Sequence, residues 1–553
     1  MTELLIAEKP QSSLKIATAL ADDKVTKKNN KKVPYYEITH KGKKITVGCS
    51  VGHLFGLKEV DGKGWTYPTF NYDWMPSYEV DKNAKYTKDY FDTLKKLAKE
   101  ANEFTLCTDY DEEGEVIGLN IIRYICKQKD ANRMKFSTLT QKDLINAYEN
   151  KLPRLNWGQA NAGLARHEMD WQYGINLSRA LTLSIKNAKA GFKILSIGRV
   201  QGPTLNLIVK KEKEILAFIS KKYWQVSLAF DHDDKLLIAW HKKDTFWDKK
   251  EAENVVKNTK NKKAVISKIK KSEITQAPPV PFDFTTLQLD AYRTSGINPK
   301  EALSLAQNLY VAGLISYPRT GSQQIPESID LREILTKLLN SDYKNLVKEL
   351  LKKQLKPNNG KKTDPAHPAI TPTGEIPEKL TEKELKLYDL IVRRTLATLA
   401  EPAKRESQRI EINVNDEIFS LNGIKTIYSG WHKYYGHFLM LKEVELPELK
   451  EKQEIKDYKI EMFEKETQPP RRYSPASLVK ELESRHLGTK ATRSNVIDTL
   501  YDRQYITEQS IQATELGIRT IETLEKYSPE IIDESLTREF EEETELIEEG
   551  KKT

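Results

Sequence analysis

Apolar positions along the chain follow two rhythms. LLIA (4–7) reads as a short buried strand, and EFTLC (103–107) as another. Each is followed by a turn and then by helical spacing. After the second run, Val116, Ile117, Leu119, Ile121, Ile122 and Ile125 recur with the period of a helix. Strands alternating with helices predict a doubly wound α/β domain over 1–150. In such sheets the chemistry gathers at the carboxyl ends of the strands, which is where EKP (8–10) and TDYDEEGE (108–115) fall.

Further along, segments with strand alternation appear. YWQVSLAF (223–230), KLLIAWH (235–241), RIEINV (409–414), EIFSL (417–421) and YKIEMF (458–463) all read as strands, and a helical block, 283–401, separates the first two from the rest. QAPPVPF (276–282) and TQPPRRY (467–473) are proline-rich, exclude helix and read as hinges. A chain that leaves a β region, builds helices and returns to β makes an arm with a tip. Near the end, SPASLVKELESR (474–485) and TRSNVIDTLYDRQYI (492–506) are helical patterns joined by HLGTKA. They resemble a helix-turn-helix, although an ordinary helical hairpin is the simpler reading.

Length changes the picture by requiring several cores: 553 residues exceed what one hydrophobic core supports. No apolar run is long enough to cross a bilayer, and MTELLIAEKP lacks the features of a signal peptide. The cytoplasm is the expected location. Cys49, Cys107 and Cys126 form no CxxC pair, so they build neither a zinc ribbon nor a disulfide framework; Cys107 and Cys126 read as small core residues. The net charge of +9 is weak evidence for a polyanion until its placement is considered. ESLTREFEEETELIEEG (534–550) is strongly acidic, so the remainder is more basic than the total indicates, and nucleic acid becomes a plausible partner.

Against that basic background, TDYDEEGE holds Asp109, Asp111, Glu112, Glu113 and Glu115 in eight residues. Asp109 and Asp111 share a face of an extended turn, and Glu113 and Glu115 continue the alternation just ahead of the helix. Such a cluster repels itself unless a cation neutralises it. Its oxygen ligands suit Mg²⁺, which is favoured over a merely solvated helix start, where acids meet the dipole. The other candidate groups are weaker alone. Glu8 can donate a proton to a leaving oxygen and Lys9 can hold a phosphate, but the bare dipeptide is uninformative. In LISYPRTGS (314–322), Tyr317 and Arg319 project to one side of an extended segment. The guanidinium can stabilise a phenolate and grip a phosphate, yet most tyrosines at such corners are structural. His367 lies in DPAHPAITPT after the polar, mobile-looking loop KPNNGKKT, and loop histidines usually have no role. Arg199 and Gln201 flank glycines before a helix, a setting that suits phosphate. Arg166 and Asp170 share a helix face and could simply pair.

In order along the chain, IAEKP, TDYDEEGE, ARHEMDWQYGINLSRALT, SIGRVQGPTL, GLISYPRTGS, AHPAIT and SLVKELESRHLGTKATRSNVI resemble the type IA DNA topoisomerases, in particular archaeal and topoisomerase III-type members. The resemblance covers nearly the whole chain. It implies a multidomain toroid: a Rossmann-like Toprim metal-binding domain (1–150), a helical domain with a single-strand groove (151–215 and 471–553), a β-rich arch with hinges (216–282 and 402–470), and a helical domain with the catalytic tyrosine (283–401). It implies Mg²⁺ on Asp109, Asp111 and Glu113, and attack by Tyr317 on a backbone phosphate to give a 5′-phosphotyrosyl bond. Arg319 and Lys9 would stabilise phosphoryl charge, Glu8 would act on the 3′ oxygen, and His367 would position the reacting groups. Arg166, Asp170, Arg199, Gln201, Lys490, Thr492 and Arg493 would meet single-stranded DNA. The activity implied is ATP-independent relaxation of negative supercoils, in agreement with the absence of a GxxxxGK[ST] loop.

The chain departs from the family pattern at Glu112, where many members carry Arg, and stops at EEGKKT, where relatives often continue into zinc-binding or basic tails. The alternatives are a different Toprim enzyme such as a primase or nuclease, the topoisomerase half of a split reverse gyrase with a helicase-like ATPase partner, and a non-catalytic single-strand-binding protein.

Overall fold

The computed structural model describes residues 2–60, 62, 64–187 and 196–552, with the side chain of residue 185 left aside. The two expected strands are neighbours and parallel, Thr2–Ala7 and Glu103–Cys107, at the centre of a six-stranded sheet. Leu4, Leu5, Ile6 and Ala7 are fully buried because helices cover both faces, and each large side chain so buried contributes about 1.5–3 kcal/mol. Lys43–Cys49 pairs in parallel on the other side of the first strand, and the hairpin partners Thr26–Asn30 and Val33–His40 complete that edge. All three cysteines are free and buried.

The alternating segments form a second sheet of seven strands, all antiparallel, in the order 454–455, 264–276, 403–414, 417–428, 235–241, 222–232 and 458–466. Two of its hairpins turn on adjacent residues with positive φ, Asp233–Asp234 and Asn415–Asp416, as the twist-compatible two-residue turn requires. The strand Ala264–Gln276 was not anticipated. Its run AVISKIKKSEITQ is exposed over most of its length, so it lacks the apolar alternation of its neighbours.

Sheet order explains the closed shape. Strands 222–232 and 458–466 connect to the helices that precede and follow the sheet, whereas strands 264–276 and 403–414 connect to the helical block. Each strand in one pair stands four positions from its counterpart in the other, roughly 19 Å at ordinary strand spacing. The helical block then returns to the rest of the chain without a covalent link. Lys15 Nζ donates to the Ala312 carbonyl (2.6 Å), the Tyr317 amide to the Ser137 carbonyl (2.8 Å), and Thr285 Oγ1 to Glu483 (3.1 Å). The molecule is therefore a ring with one non-covalent join.

The C-terminal helix Glu534–Glu548 lies against the long helix Trp157–Asn187. At Gly158 a Cβ would come within 2.1 Å of the Glu548 carbonyl oxygen, so this approach requires glycine. The expected helical pair is present as Pro475–Ser484 and Arg493–Asp502. The loop KPNNGKKT is tied down rather than free: the Asn358 amide donates to Thr398 and the Gly360 amide to Gln323, both at 2.9 Å. Among the described residues no helix is long and apolar enough to cross a membrane.

Candidate active site

The acidic stretch leaves the buried strand at Cys107 and enters a helix, Glu112–Asn120, one turn earlier than the alternation indicates. Asp111 is the N-cap, its Oδ1 accepting from the Gly114 amide at 2.8 Å. A Cβ on Gly114 would lie 2.0 Å from the Asp109 carbonyl oxygen, so the tight entry depends on that glycine. Glu113 and Glu115 thus sit inside the helix, and their fates separate. Glu115 is fully buried on Arg133 (Nε–Oε1 2.6 Å) and belongs to the core. Glu113 Oε2 accepts from His53 Nε2 (2.8 Å) and His167 Nε2 (3.1 Å). Burial alone would raise Glu113, but the two imidazoles hold it well below the usual carboxylate range.

The other acids meet the helical block. The Tyr317 hydroxyl donates to Asp111 Oδ2 and the Tyr310 hydroxyl to Asp109 Oδ1 (3.2 Å). The two tyrosines stack edge to face at 5.2 Å. Asp109 is pushed well above the usual carboxylate range, first by burial and then by the charges of Glu8 and Asp111. Among the described residues it has no ion pair. Arg319 Nη1 stands 4.0 Å from Asp111 Oδ2, and Lys9 Nζ lies 3.4 Å from Glu8 Oε1. Tyr317 is fully buried, and burial, followed by the charges of Asp111 and Asp109, raises its hydroxyl well above the ordinary phenol value despite Arg319.

His367 is buried beside Tyr317, with ring centroids 4.4 Å apart. Its Nε2 donates to the Tyr110 carbonyl (3.0 Å), which leaves Nδ1 to accept from Ser137 Oγ (3.0 Å). Burial lowers its pKa to about 4, so the ring is neutral at pH 7. Both nitrogens are occupied, so the ring pins the acidic turn to the tyrosine loop. A cleft of about 880 Å³ opens beside these groups, lined by Asp111, Glu112, Arg319, His367, Lys490 and Thr492 among others. Lys490 there pairs with Asp364.

A neighbouring cleft of about 390 Å³ gathers Arg166, Asp170, Arg199, Gln201 and Thr492. The pairing of Arg166 with Asp170 that their helical spacing allows does not form. Arg199 Nε takes Asp170 (3.0 Å), and Arg166 turns to Glu541 (3.2 Å) and Glu112 (3.4 Å). Arg199 Nη1 also reaches Glu541 (2.9 Å). Glu541, on the C-terminal helix, therefore faces both groove arginines. Arg493 stands apart: it is mostly buried, 3.8 Å from Glu483, with Nε on the Leu487 carbonyl. Sequence reasoning missed Tyr310, His53, His167 and Glu541. Only the last had any signal, as one acid in a run read for its charge alone.

A buried tyrosine and buried acids, brought together across the join of a ring beside a cleft that mixes acids with Lys135, Arg166, Arg319 and Lys490, have the make-up of an enzyme's active site. Comparison with known proteins agrees. The DNA topoisomerase family model matches residues 154–553 and the Toprim domain model residues 3–139. DNA topoisomerase 1 of Pyrococcus horikoshii is 46% identical over 560 residues, covering 100% of this chain and 81% of that protein. The enzyme of the same name from Methanocaldococcus jannaschii is 46% identical over 552 residues, covering 99% of this chain and 71% of its own length. Full-length topoisomerase I from Thermotoga maritima superposes with a TM-score of 0.77 at 26% identity, covering 100% of this chain and 87% of that one. The chain belongs to the type IA DNA topoisomerases.

Proposed function

We propose that this enzyme cuts and rejoins one DNA strand through Tyr317, relaxing negative supercoils without ATP. The observation that carries this reading is the meeting of the Tyr317 hydroxyl with Asp111, 206 residues away in sequence, beside Arg319. The Tyr317 oxygen attacks a backbone phosphorus. The bond to the 3′ oxygen breaks, and a 5′-phosphotyrosyl bond forms. Asp111 is placed to accept the phenolic proton, and Glu8 protonates the departing 3′ oxygen. Rejoining reverses both transfers: the 3′ oxygen displaces the tyrosine, so the energy of the phosphodiester is conserved. Arg319 and Lys9 offset charge on the phosphoryl oxygens. His367 is neutral and holds the backbone around the nucleophile, and Arg199 aligns the strand.

The acids at this site form an oxygen donor set, and Asp109 has no ion pair among the described residues, which fits a hard divalent ion. Asp109, Asp111 and Glu113 would hold Mg²⁺, which supplies positive charge where the phosphate approaches the carboxylates. Single-stranded DNA would run through the groove of Arg166, Asp170, Arg199, Gln201, Lys490, Thr492 and Arg493, in a protein acting in the cytoplasm. The four-part division at 150, 215, 282, 401 and 470 follows from this reading: metal domain, groove, arch and tyrosine tip. Plasmid relaxation with Mg²⁺ and with chelator tests it. Relaxation that persists under chelation would remove the metal from the reaction.

A further inference from the structure

We infer that His53, Glu113 and His167 form a second metal site, distinct from the oxygen-only acids, for a divalent ion of the zinc class. The three side chains come from three elements. His53 lies in the loop between strands Lys43–Cys49 and Phe55–Glu59, Glu113 in the first turn of helix Glu112–Asn120, and His167 in helix Trp157–Asn187. One oxygen, Glu113 Oε2, faces both Nε2 atoms, at 2.8 and 3.1 Å. All three candidate ligand atoms lie within 4.8 Å of one another, and the two imidazole rings stand 5.0 Å apart. Ligands at ~2.0–2.2 Å from a common ion, with ordinary tetrahedral or octahedral angles, stand ~2.8–3.5 Å apart. The separations from Glu113 Oε2 fall in that interval, so a shared ion needs little rearrangement.

Donor chemistry sets the class. Two imidazoles and one carboxylate suit zinc and its first-row neighbours, whereas carboxylate and water sites suit magnesium. Each side chain retains about a third of its exposure (31, 33 and 30%), so the ion has a route in and keeps open positions. Glu113 would give Oε2 to this site, which leaves its other carboxylate oxygen for the ion proposed on Asp109 and Asp111. An ion here would tie the sheet domain to the long groove helix at the residue that follows Arg166. This site does not rest on the strand-cleavage reading.

The test uses the tag-free full chain, stripped by chelator and returned to saturating Mg²⁺. Titration with Co²⁺, followed by visible absorption and calorimetry, should show one equivalent with an imidazole-type spectrum that Zn²⁺ displaces. Second-shell changes at metal sites cost roughly 10–100-fold in affinity, and loss of a ligand in His53→Gln or His167→Gln should exceed that. Asp111→Asn should retain the site. No uptake by wild type, or uptake undiminished in both histidine variants, would overturn the inference; either would leave plain hydrogen bonds to Glu113. Uptake lost in Asp111→Asn but kept in the histidine variants would also overturn it. Zinc-edge anomalous scattering from wild-type crystals gives the same decision without a variant: a peak between the three side chains supports the site, and its absence at saturating Zn²⁺ refutes it.

Discussion

Two neighbouring strands, Thr2–Ala7 and Glu103–Cys107, carry acids at both ends, and the two ends treat them oppositely. At the amino end, Glu3 and Glu103 face each other in register and are fully compensated. Lys43 reaches Glu3 (2.7 Å) and Glu103 (2.6 Å), Lys151 reaches both, and Tyr148 and Thr105 donate to Glu3. At the carboxyl end, Glu8, Asp109 and Asp111 have, among the described residues, only Lys9, 3.4 Å from Glu8, and Arg319, 4.0 Å from Asp111, as countercharges. Acid content alone does not mark a site. An acid with its countercharge built in holds the fold together, whereas a buried acid without one is stored for an ion or a reaction.

The largest expected effect comes from the tyrosine that the carboxyl end faces. Tyr317→Phe should lower plasmid relaxation by several orders of magnitude, since loss of a nucleophile is rarely recovered. Single-strand affinity should stay within about threefold, because binding rests on groove charge and stacking. Filter binding alongside the relaxation assay checks this, and a relaxing variant would break the comparison.

Next are the acids themselves. Asp109→Asn should cut relaxation by roughly 10²–10³-fold. In chelator it should raise thermal stability, by about 0.5–2 kcal/mol, because like-charge crowding is relieved at a site where function opposes stability. Calorimetry showing a destabilised metal-free variant would mean the carboxyl end is compensated after all.

Glu3→Gln should do the reverse: relaxation within a few-fold of wild type, and a loss of stability. Burial would raise Glu3, but Lys151, Lys43, Thr105 and Tyr148 hold it at about 2, against 4.5 unperturbed. A depressed carboxyl stabilises the fold above its unfolded pKa, and that contribution is lost as pH falls from about 4.5 through about 2. The shift corresponds to on the order of 3 kcal/mol. Wild type and variant should therefore converge in stability in acid, which pH-dependent denaturant unfolding would show.

The smallest effect is predicted at Glu541, the compensating acid of the groove. Glu541→Gln removes the acid that Arg166 and Arg199 share and leaves each with one remaining acid, so single-strand affinity should rise about 3–10-fold at low salt and the salt dependence should steepen. Fluorescence anisotropy over a salt series measures both.

Much of the frame was legible from pattern. LLIA and EFTLC were readable because parallel strands buried on both faces leave short, mostly apolar stretches, and the antiparallel strands because one covered face leaves alternation. Strand 264–276 was not, because its exposed lysines erase that alternation. The acidic turn was legible as a cluster, but not the division between Glu115, buried on Arg133, and its neighbours, since pairing depends on a residue 18 positions away. The contact between Tyr317 and Asp111 could be expected only from the family resemblance, because spacing says nothing of partners 206 residues apart. His53 and His167 carry no mutual spacing signal, and only folding brings them to Glu113.

Mapping the covalent adduct tests the central claim most directly. The full chain is incubated with a single-stranded oligonucleotide and Mg²⁺, trapped with denaturant and digested, and the cross-linked peptide is sequenced by mass spectrometry. The account predicts a phosphodiester joining the Tyr317 oxygen to the 5′ end of the cut strand, absent in Tyr317→Phe. An adduct on any other residue, or one joined to the 3′ end, would contradict it.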